Sequence, residues 1–121
     1  MFELMVEEIF SAAHQLRGYE GPCENLHGHT WKVQVHLVAK TTEASGITVD
    51  FKVIKLKLSE AIKGFDHSNL NELDQFKKDN PTSENIAKVI YERIKGSFGN
   101  KAKVLKVAVF ESPTSSAAYY E

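Results

Sequence analysis

The sequence predicts an α+β domain with a four-stranded antiparallel sheet and two helices on one face of that sheet. The local patterns follow the order strand, strand, helix, helix, strand, strand, which is typical of helices covering one side of an antiparallel sheet. The chain has 121 residues, of which 42% are hydrophobic, and this size suits one domain of roughly 100–150 residues. We therefore expect a single domain over residues 1–121.

Four segments carry strand patterns. In the first two, apolar residues recur at every second position, the period of a strand with one buried face. These residues are Phe2, Leu4, Val6, Phe10 and Ala12 in the first strand and Trp31, Val33, Val35, Leu37 and Ala39 in the second. Glu8 interrupts the first series and allows a bulge there. The other predicted strands are Ala102–Glu111, with Leu105, Val107 and Val109 on one side, and Ala117–Tyr120.

Two segments carry helix patterns with start signals. Asp50 is the predicted N-cap of the first helix, whose apolar stripe comprises Phe51, Ile54, Leu58, Ala61, Ile62 and Phe65. The second helix is predicted to start at Asn80 or Thr82, with Pro81 tolerated in its first turn and Glu84 favoured at the positive end of the helix dipole. The segment between the helices, residues 66–80, is rich in Asp, Asn and Ser and is expected to be irregular.

The composition excludes several classes of function. The formal net charge is −1, from 15 Lys+Arg against 16 Asp+Glu, so the chain lacks the basic surface by which proteins bind nucleic acid. No apolar run approaches the roughly 18 residues of a membrane helix, and the first residues lack the basic segment of a secretory signal. Cys23 is the only cysteine, which excludes an intrachain disulfide. We expect a cytoplasmic protein that binds neither nucleic acid nor membrane.

One face of the predicted sheet carries no helix. That face would present Lys32, Gln34, His36 and Lys40 alongside apolar residues, a mixture unusual both for a core and for a plain surface. A domain of this size also has little room to enclose a deep cleft by itself. We therefore expect the uncovered face to line the interior of a homo-oligomer.

Three histidines are predicted to form a metal site. His14 lies at the end of the first strand, and His27 and His29 lead into the second on the side of Trp31. If these two strands pair, the three imidazoles meet at one end of the sheet. Three neutral imidazoles with an open fourth position are a recurring arrangement for catalytic zinc. His36 has no partner of this kind and is expected to be a packing or surface residue.

The other candidate residues leave more than one role open. Cys23 lies four residues before His27 and is either a fourth zinc ligand that closes the site or a separate base or nucleophile activated by the cation. Asp66 and His67 are an adjacent carboxylate and imidazole suited to proton transfer. Glu111 either lies past the end of the third strand or points into a pocket, where a carboxylate holds paired N–H groups.

Together these motifs resemble the 6-pyruvoyltetrahydropterin synthase / 6-carboxytetrahydropterin synthase family. The resemblance covers about Phe2 to Tyr120. The motifs that carry it are Phe10-Ser11-Ala12-Ala13-His14, Cys23-Glu24-Asn25-Leu26-His27-Gly28-His29, Asp66-His67, Pro81-Thr82-Ser83-Glu84-Asn85 and Val109-Phe110-Glu111. The three-residue gap between Cys23 and His27 is similar to that of the bacterial 6-carboxy branch of queuosine and deazapurine biosynthesis. Cys23 argues against a third branch, which has Glu there and makes 6-hydroxymethylpterin.

The resemblance implies a tunnelling fold, in which sheets from three subunits close into a barrel and two trimers stack into a homohexamer with active sites at subunit interfaces. Glu111 is implied to anchor the pterin ring. The implied site residues are the zinc ligands His14, His27 and His29, the catalytic residues Cys23, Asp66 and His67, and the pterin-binding residues Glu111, Thr82 and Ser83.

The implied reaction converts 7,8-dihydroneopterin triphosphate to 6-carboxy-5,6,7,8-tetrahydropterin, with release of acetaldehyde and triphosphate, in a zinc-dependent carbon–carbon lyase. Zinc is implied to bind the side-chain hydroxyls of the substrate, while the Cys23 thiolate removes a proton and His67, oriented by Asp66, transfers another. Two alternatives stay open. One is the pyruvoyl synthase, which eliminates only triphosphate from the same substrate, and the other is a non-catalytic module whose zinc is closed by one cysteine and three histidines.

Overall fold

The computed structural model describes residues 1–21 and 24–121. The strands are β1 (Phe2–His14), β2 (His27–Ala39), β3 (Ser68–Asn69), β4 (Lys103–Ser112) and β5 (Ser115–Tyr119), and the helices are α1 (Phe51–Ala61) and α2 (Ser83–Ile94). Two single-turn 3-10 helices, Leu70–Glu72 and Asp74–Phe76, follow β3. Over the described ranges, no helix has the length and apolar character needed to cross a membrane.

The strands form one mixed sheet in the order β3-β1-β2-β4-β5. β1 and β2 pair antiparallel along their whole lengths, from Phe2 opposite Ala39 to His14 opposite His27. β3 adds a two-residue parallel ladder beside Ala12 and Ala13 of β1. The α+β class is therefore confirmed, whereas the prediction of four antiparallel strands is wrong, because a two-residue strand has no alternating pattern that the sequence could reveal.

Both helices pack on one face of the sheet, as predicted. The side chains between the layers are fully or almost fully buried, and removing them from water is the main stabilising contribution to the fold. They include Val6 and Phe10 of β1, Trp31, Val33, Val35 and Leu37 of β2, Ile54 and Leu58 of α1, Ile86, Ile90 and Ile94 of α2, and Val104, Val107 and Val109 of β4. His14 and His27 lie opposite each other where this layer ends.

Each helix begins at a side-chain cap. The Asp50 carboxylate accepts a hydrogen bond from the Lys52 N–H at 2.9 Å, as the sequence predicted. At α2 the cap is Thr82, whose hydroxyl accepts from the Asn85 N–H at 3.1 Å. Of the two predicted caps, Thr82 is therefore right and Asn80 is wrong. This start places residues 80–83 against the end of β1.

The interruption at Glu8 is not a bulge. The β1–β2 register runs without a break through Glu8, which lies opposite Val33. The Glu8 carboxylate instead accepts a hydrogen bond from the Ser59 hydroxyl of α1 at 2.6 Å. An acidic residue is tolerated on the helix side because it has this partner at the margin of the core.

A register shift in β4 changes which of its residues are buried. Leu37 pairs with Val104, while the preceding His36 pairs with Lys106, so Leu105 is the extra residue of a bulge. Leu105 is consequently 38% exposed, and Val104 is 1% exposed. The prediction that Leu105 shares a face with Val107 and Val109 is therefore wrong.

The other face of the sheet has no helix packed on it among the described residues. A row of polar contacts crosses β1 and β2 on this face: His36 lies 3.4 Å from Glu3 and 3.2 Å from Gln34, and Gln34 donates to Glu7 at 3.1 Å. Ile9 is 65% exposed beside this row. The uncovered face agrees with the expectation from sequence, and its role inside a homo-oligomer stays a prediction.

Candidate metal centre

The pairing of β1 with β2 brings three histidines together at one end of the sheet. His14 lies opposite His27, and His29 lies opposite Ala12, so all three side chains are on the helix-covered face. Their ring centroids are 4.6 to 5.1 Å apart. The nitrogen atoms available to a metal lie within 4.8 Å of one another. The three histidines are therefore positioned to hold one metal ion.

Backbone carbonyls fix the ring orientation of two of these histidines. His14 Nδ1 lies 2.7 Å from the Pro81 carbonyl oxygen, and His27 Nδ1 lies 2.7 Å from the Asn25 carbonyl oxygen. Because a carbonyl can only accept, each Nδ1 carries the hydrogen and donates it. In the neutral rings, Nε2 of His14 and Nε2 of His27 are consequently acceptors.

The three Nε2 atoms lack a donor among the described residues. The Nε2 atoms of His14 and His27 are only 3.0 Å apart, and two lone pairs at this distance repel unless a cation or proton lies between them. His29 Nε2 is buried and has no hydrogen-bond partner in residues 1–21 and 24–121, a costly state for a polar atom. A bound cation would satisfy all three nitrogens, so the residues fit a metal.

Glu111 lies beside the histidine cluster. It is within β4, and its Oε1 is 3.4 Å from His29 Nε2, with 38% of its side chain exposed. Glu111 is therefore not past the end of its strand, and its carboxylate lies next to the histidine cluster. That it points into a pocket stays a prediction.

Trp31 supports two of the histidine rings. Its ring centroid is 4.9 Å from that of His14 and 5.2 Å from that of His29. The indole N–H donates to the Ala12 carbonyl at 3.2 Å, which fixes the indole between β1 and β2. The sequence placed His29 on the same face as Trp31 but predicted for Trp31 only a place in the core.

Burial lowers the pKa of two of these histidines below the ordinary value of 6.5. For His14, removal of the charged ring from water is the main cause, and the Pro81 carbonyl partly opposes it. For His29, burial is again the main cause, and Glu111 partly opposes it. Neutral imidazoles are the form that binds metals, so the site is poised for a cation at neutral pH.

The metal-free protein is expected to lose stability as the pH falls below about 6.5. Below that pH the unfolded chain binds more protons on His14 and His29 than the folded chain does, because folding lowers the pKa of both rings, so protonation favours unfolding. Thermal unfolding in the presence of a chelator, followed from pH 7.5 to 5, tests this. A midpoint that stays constant or rises over that range would contradict the assignment.

Asp66 and His67 lie at the edge of β1, separate from the cluster. The Ser11 N–H donates to Asp66 Oδ1 at 2.9 Å, and the His67 N–H donates to the Ser11 carbonyl at 2.6 Å. His67 Nε2 is 3.6 Å from Asp66 Oδ2, and the His67 side chain is 85% exposed. In the described parts of the chain, no hydrogen bond or ion pair joins His67 to His14 or its two neighbours.

Two of the remaining predicted site residues, Thr82 and Ser83, lie at the start of α2. Thr82 caps α2, and Ser83 is buried in its first turn; both follow Pro81, whose carbonyl contacts His14. Cys23 lies outside the described residues, so its role as catalytic thiol or fourth ligand is a prediction from sequence alone. The sequence did not predict a role for the carbonyls of Pro81 and Asn25, because every residue has a backbone carbonyl and its type does not indicate what that carbonyl contacts.

Comparison with known proteins bears on what this site does. Residues 3–121 match the family model described as 6-pyruvoyl tetrahydropterin synthase. The chain belongs to the 6-pyruvoyl tetrahydropterin synthase family. The family processes pterins, so the histidine cluster and Glu111 lie in a pterin-processing enzyme fold.

Relatives within the family differ in the reactions that their names give. The chain is 36% identical to the 6-carboxy-5,6,7,8-tetrahydropterin synthase of Bacillus subtilis, covering 98% of this chain and 84% of that protein. It is also 36% identical to the dihydroneopterin monophosphate aldolase of Pyrococcus furiosus, covering 84% and 82%. The solved 6-pyruvoyl tetrahydropterin synthase of Caenorhabditis elegans superposes with a TM-score of 0.84 at 29% identity, covering 100% and 97%.

Proposed function

We propose that this chain is a zinc-dependent 6-carboxy-5,6,7,8-tetrahydropterin synthase that acts on 7,8-dihydroneopterin triphosphate in the cytoplasm, for queuosine or deazapurine biosynthesis. The observation that carries the proposal is the convergence of three imidazoles beside Glu111. Membership of the family supports a pterin substrate. The name of the Bacillus relative supports the carboxy product, and so does Cys23 with its short gap to His27.

The donor set favours zinc. Three neutral imidazole nitrogens suit Zn²⁺, which takes nitrogen ligands at about 2.0–2.1 Å and is usually four-coordinate. Three protein ligands leave one position for substrate, which is the arrangement of catalytic rather than structural sites. Bound there, Zn²⁺ supplies a Lewis acid that polarises a side-chain oxygen of the substrate and acidifies the neighbouring C–H bonds.

Glu111 is proposed to anchor the pterin ring. The pyrimidine edge of a pterin presents a ring N–H and an exocyclic amine side by side, and a carboxylate accepts from both in a bidentate pair. Glu111 lies 3.4 Å from His29, so a ring held by Glu111 binds next to the histidine cluster. Thr82 and Ser83, next to the Pro81 contact with His14, are proposed to recognise the ring as well.

The proton transfers of the proposed reaction are assigned to Cys23, His67 and Asp66. The reaction breaks the bond between the first and second side-chain carbons; the first stays on the ring as the carboxylate, and the other two leave as acetaldehyde. One water enters, triphosphate departs, and the ring gains the hydrogens that the side chain loses, so no external oxidant is needed. Cys23 removes a proton as the thiolate, and His67, paired with Asp66, delivers or accepts one.

His67 is proposed to serve a site on a neighbouring subunit. Its side chain is 85% exposed and, over the described part of the chain, makes no polar contact with the cluster of its own chain. The bare sheet face offers a surface for assembly into the trimeric barrel and homohexamer that the family resemblance implies. In that arrangement Asp66 and His67 of one chain are proposed to lie next to the histidine cluster of the next.

The proposal is tested by identifying the products. Zinc-loaded protein is incubated with 7,8-dihydroneopterin triphosphate, the pterin is analysed by mass, and acetaldehyde is trapped and quantified. We expect 6-carboxy-5,6,7,8-tetrahydropterin and acetaldehyde in equal amounts. A pyruvoyl product without acetaldehyde would replace the proposal by the pyruvoyl synthase, and the absence of any conversion would favour a non-catalytic zinc module.

A further inference from the structure

We propose that Asn80 and Asn85 are positioning residues that hold the Pro81 carbonyl on His14 and thereby set the metal affinity of the three-histidine site. This inference rests on the metal binding proposed above. It concerns contacts that lie outside the metal ligands themselves. Both residues act through the turn formed by residues 80–82, which joins the segment before α2 to the end of β1.

Asn85 fixes one side of this turn. From the first turn of α2, its side-chain Nδ2 donates to the Asn80 carbonyl at 2.8 Å. The Thr82 N–H donates to the same carbonyl at 2.8 Å, and the Asn85 N–H donates to the Thr82 hydroxyl. The backbone on either side of Pro81 is therefore tied to the start of α2.

Asn80 fixes the other side of the turn through its side chain. Its Nδ2 donates to the Arg17 carbonyl at 2.8 Å, and its Oδ1 accepts from the Arg17 N–H at 3.0 Å. The Asn80 side chain thus bonds both the N–H and the carbonyl of Arg17, as a paired strand would. The two hydrogen bonds connect the turn to the chain three residues after His14. Pro81 thus lies between one anchor on α2 and one on the continuation of β1.

The hydrogen bonds of Asn85 and Asn80 hold the turn so that the Pro81 carbonyl points at His14. Its oxygen is 2.7 Å from His14 Nδ1 in a buried contact, and the His14 residue is only 2% exposed. A carbonyl on the far nitrogen of a metal-binding imidazole fixes its tautomer and ring orientation and raises its basicity. Removing such an outer partner typically weakens metal binding by about 10–100-fold.

The variants Asn85→Asp and Asn80→Asp test the proposal with almost no change of shape. Each replaces one amide N–H₂ donor by a carboxylate oxygen, which cannot donate to the Asn80 or Arg17 carbonyl. Aspartate in the first turn is favourable to the helix dipole, so Asn85→Asp is expected to keep α2 intact. Circular dichroism and thermal unfolding of each metal-free variant establish that it is folded before metal binding is measured.

Asn71→Asp is the matched control. Asn71 makes the same two-bond clamp on Gln15, accepting from its N–H and donating to its carbonyl, both at 2.9 Å. Its other hydrogen bond is from its N–H to the Asn69 side chain, so it makes no hydrogen bond to residues 80–82, which the structure describes in full. The same chemical change therefore removes an equivalent hydrogen bond one residue after His14 without disturbing the Pro81 carbonyl.

Zn²⁺ affinity is measured by competition with a chelator, and the visible spectrum of the Co²⁺-loaded protein reports ligand geometry. We expect Asn85→Asp and Asn80→Asp to weaken Zn²⁺ binding by about 10-fold or more and to alter the Co²⁺ spectrum, and Asn71→Asp to weaken it less than about 3-fold. Equal affinity in wild type and both variants, or an equal loss in Asn71→Asp, would overturn the inference alone. Failure of the wild type to bind Zn²⁺ would overturn the proposed function with it.

Discussion

Replacing His29 with alanine is expected to weaken Zn²⁺ binding by more than about 100-fold, since the loss of an outer-shell partner alone costs up to that much. The metal-free variant is expected to fold, because His29 Nε2 has no hydrogen-bond partner to lose among the residues that the structure describes. Catalytic activity is expected to disappear together with the metal. Zinc content per chain, chelator competition and circular dichroism measure these effects.

His36→Ala is the control for that prediction. His36 lies on the same strand as His29, but on the opposite face of the sheet, where it contacts Glu3 and Gln34. We expect its removal to leave zinc content unchanged. Equal zinc binding in wild type and His29→Ala would show that the buried nitrogens of this cluster do not hold the ion.

Replacing Cys23 with alanine is expected to give a folded, zinc-loaded protein with activity lowered by about 100- to 10,000-fold, the usual contribution of a positioned base. The physical reason is that the thiolate is proposed to take the substrate proton, whereas the three histidines are positioned to hold a metal ion without it. Loss of zinc in this variant would instead make Cys23 the fourth ligand of a closed, structural site.

Cys23→Ala also tests whether His67 acts in a neighbouring subunit. His67→Ala is expected to be inactive by itself. Co-expression of the two variants in equal amounts is expected to restore about a quarter of the wild-type activity, because a site that combines an intact Cys23 with an intact partner His67 forms only between unlike chains. If both residues belonged to the same chain, the mixture would stay inactive.

The parts of the fold that follow from local sequence were predicted well. The alternation of β1 and β2 and the cap at Asp50 each depend on neighbouring residues, and the structure has them as expected. The errors arise where tertiary contacts decide. The bulge at Leu105 reverses the side of one β4 residue, and the strand Ser68–Asn69 exists only because it pairs with β1.

The candidate site was likewise predicted where spacing along a strand decides the structure and missed where contacts between distant segments decide it. The spacing of His27 and His29, together with β1–β2 pairing, was enough to predict that they meet His14. The contact of His14 with Pro81 spans 67 residues, and the clamp of Asn80 on Arg17 spans 63. Such side-chain-to-backbone hydrogen bonds depend on how distant segments pack, so no periodicity or local motif predicts them.

The coordination of the bound zinc tests the central claim most directly. X-ray absorption at the zinc edge of the metal-loaded protein is predicted to show imidazole nitrogens at about 2.0–2.1 Å, an oxygen in the open position and no sulfur. Zinc analysis of the same sample is predicted to give one ion per chain. A sulfur ligand at about 2.3 Å, or a zinc shell without imidazole, would contradict an open catalytic site built from His14, His27 and His29.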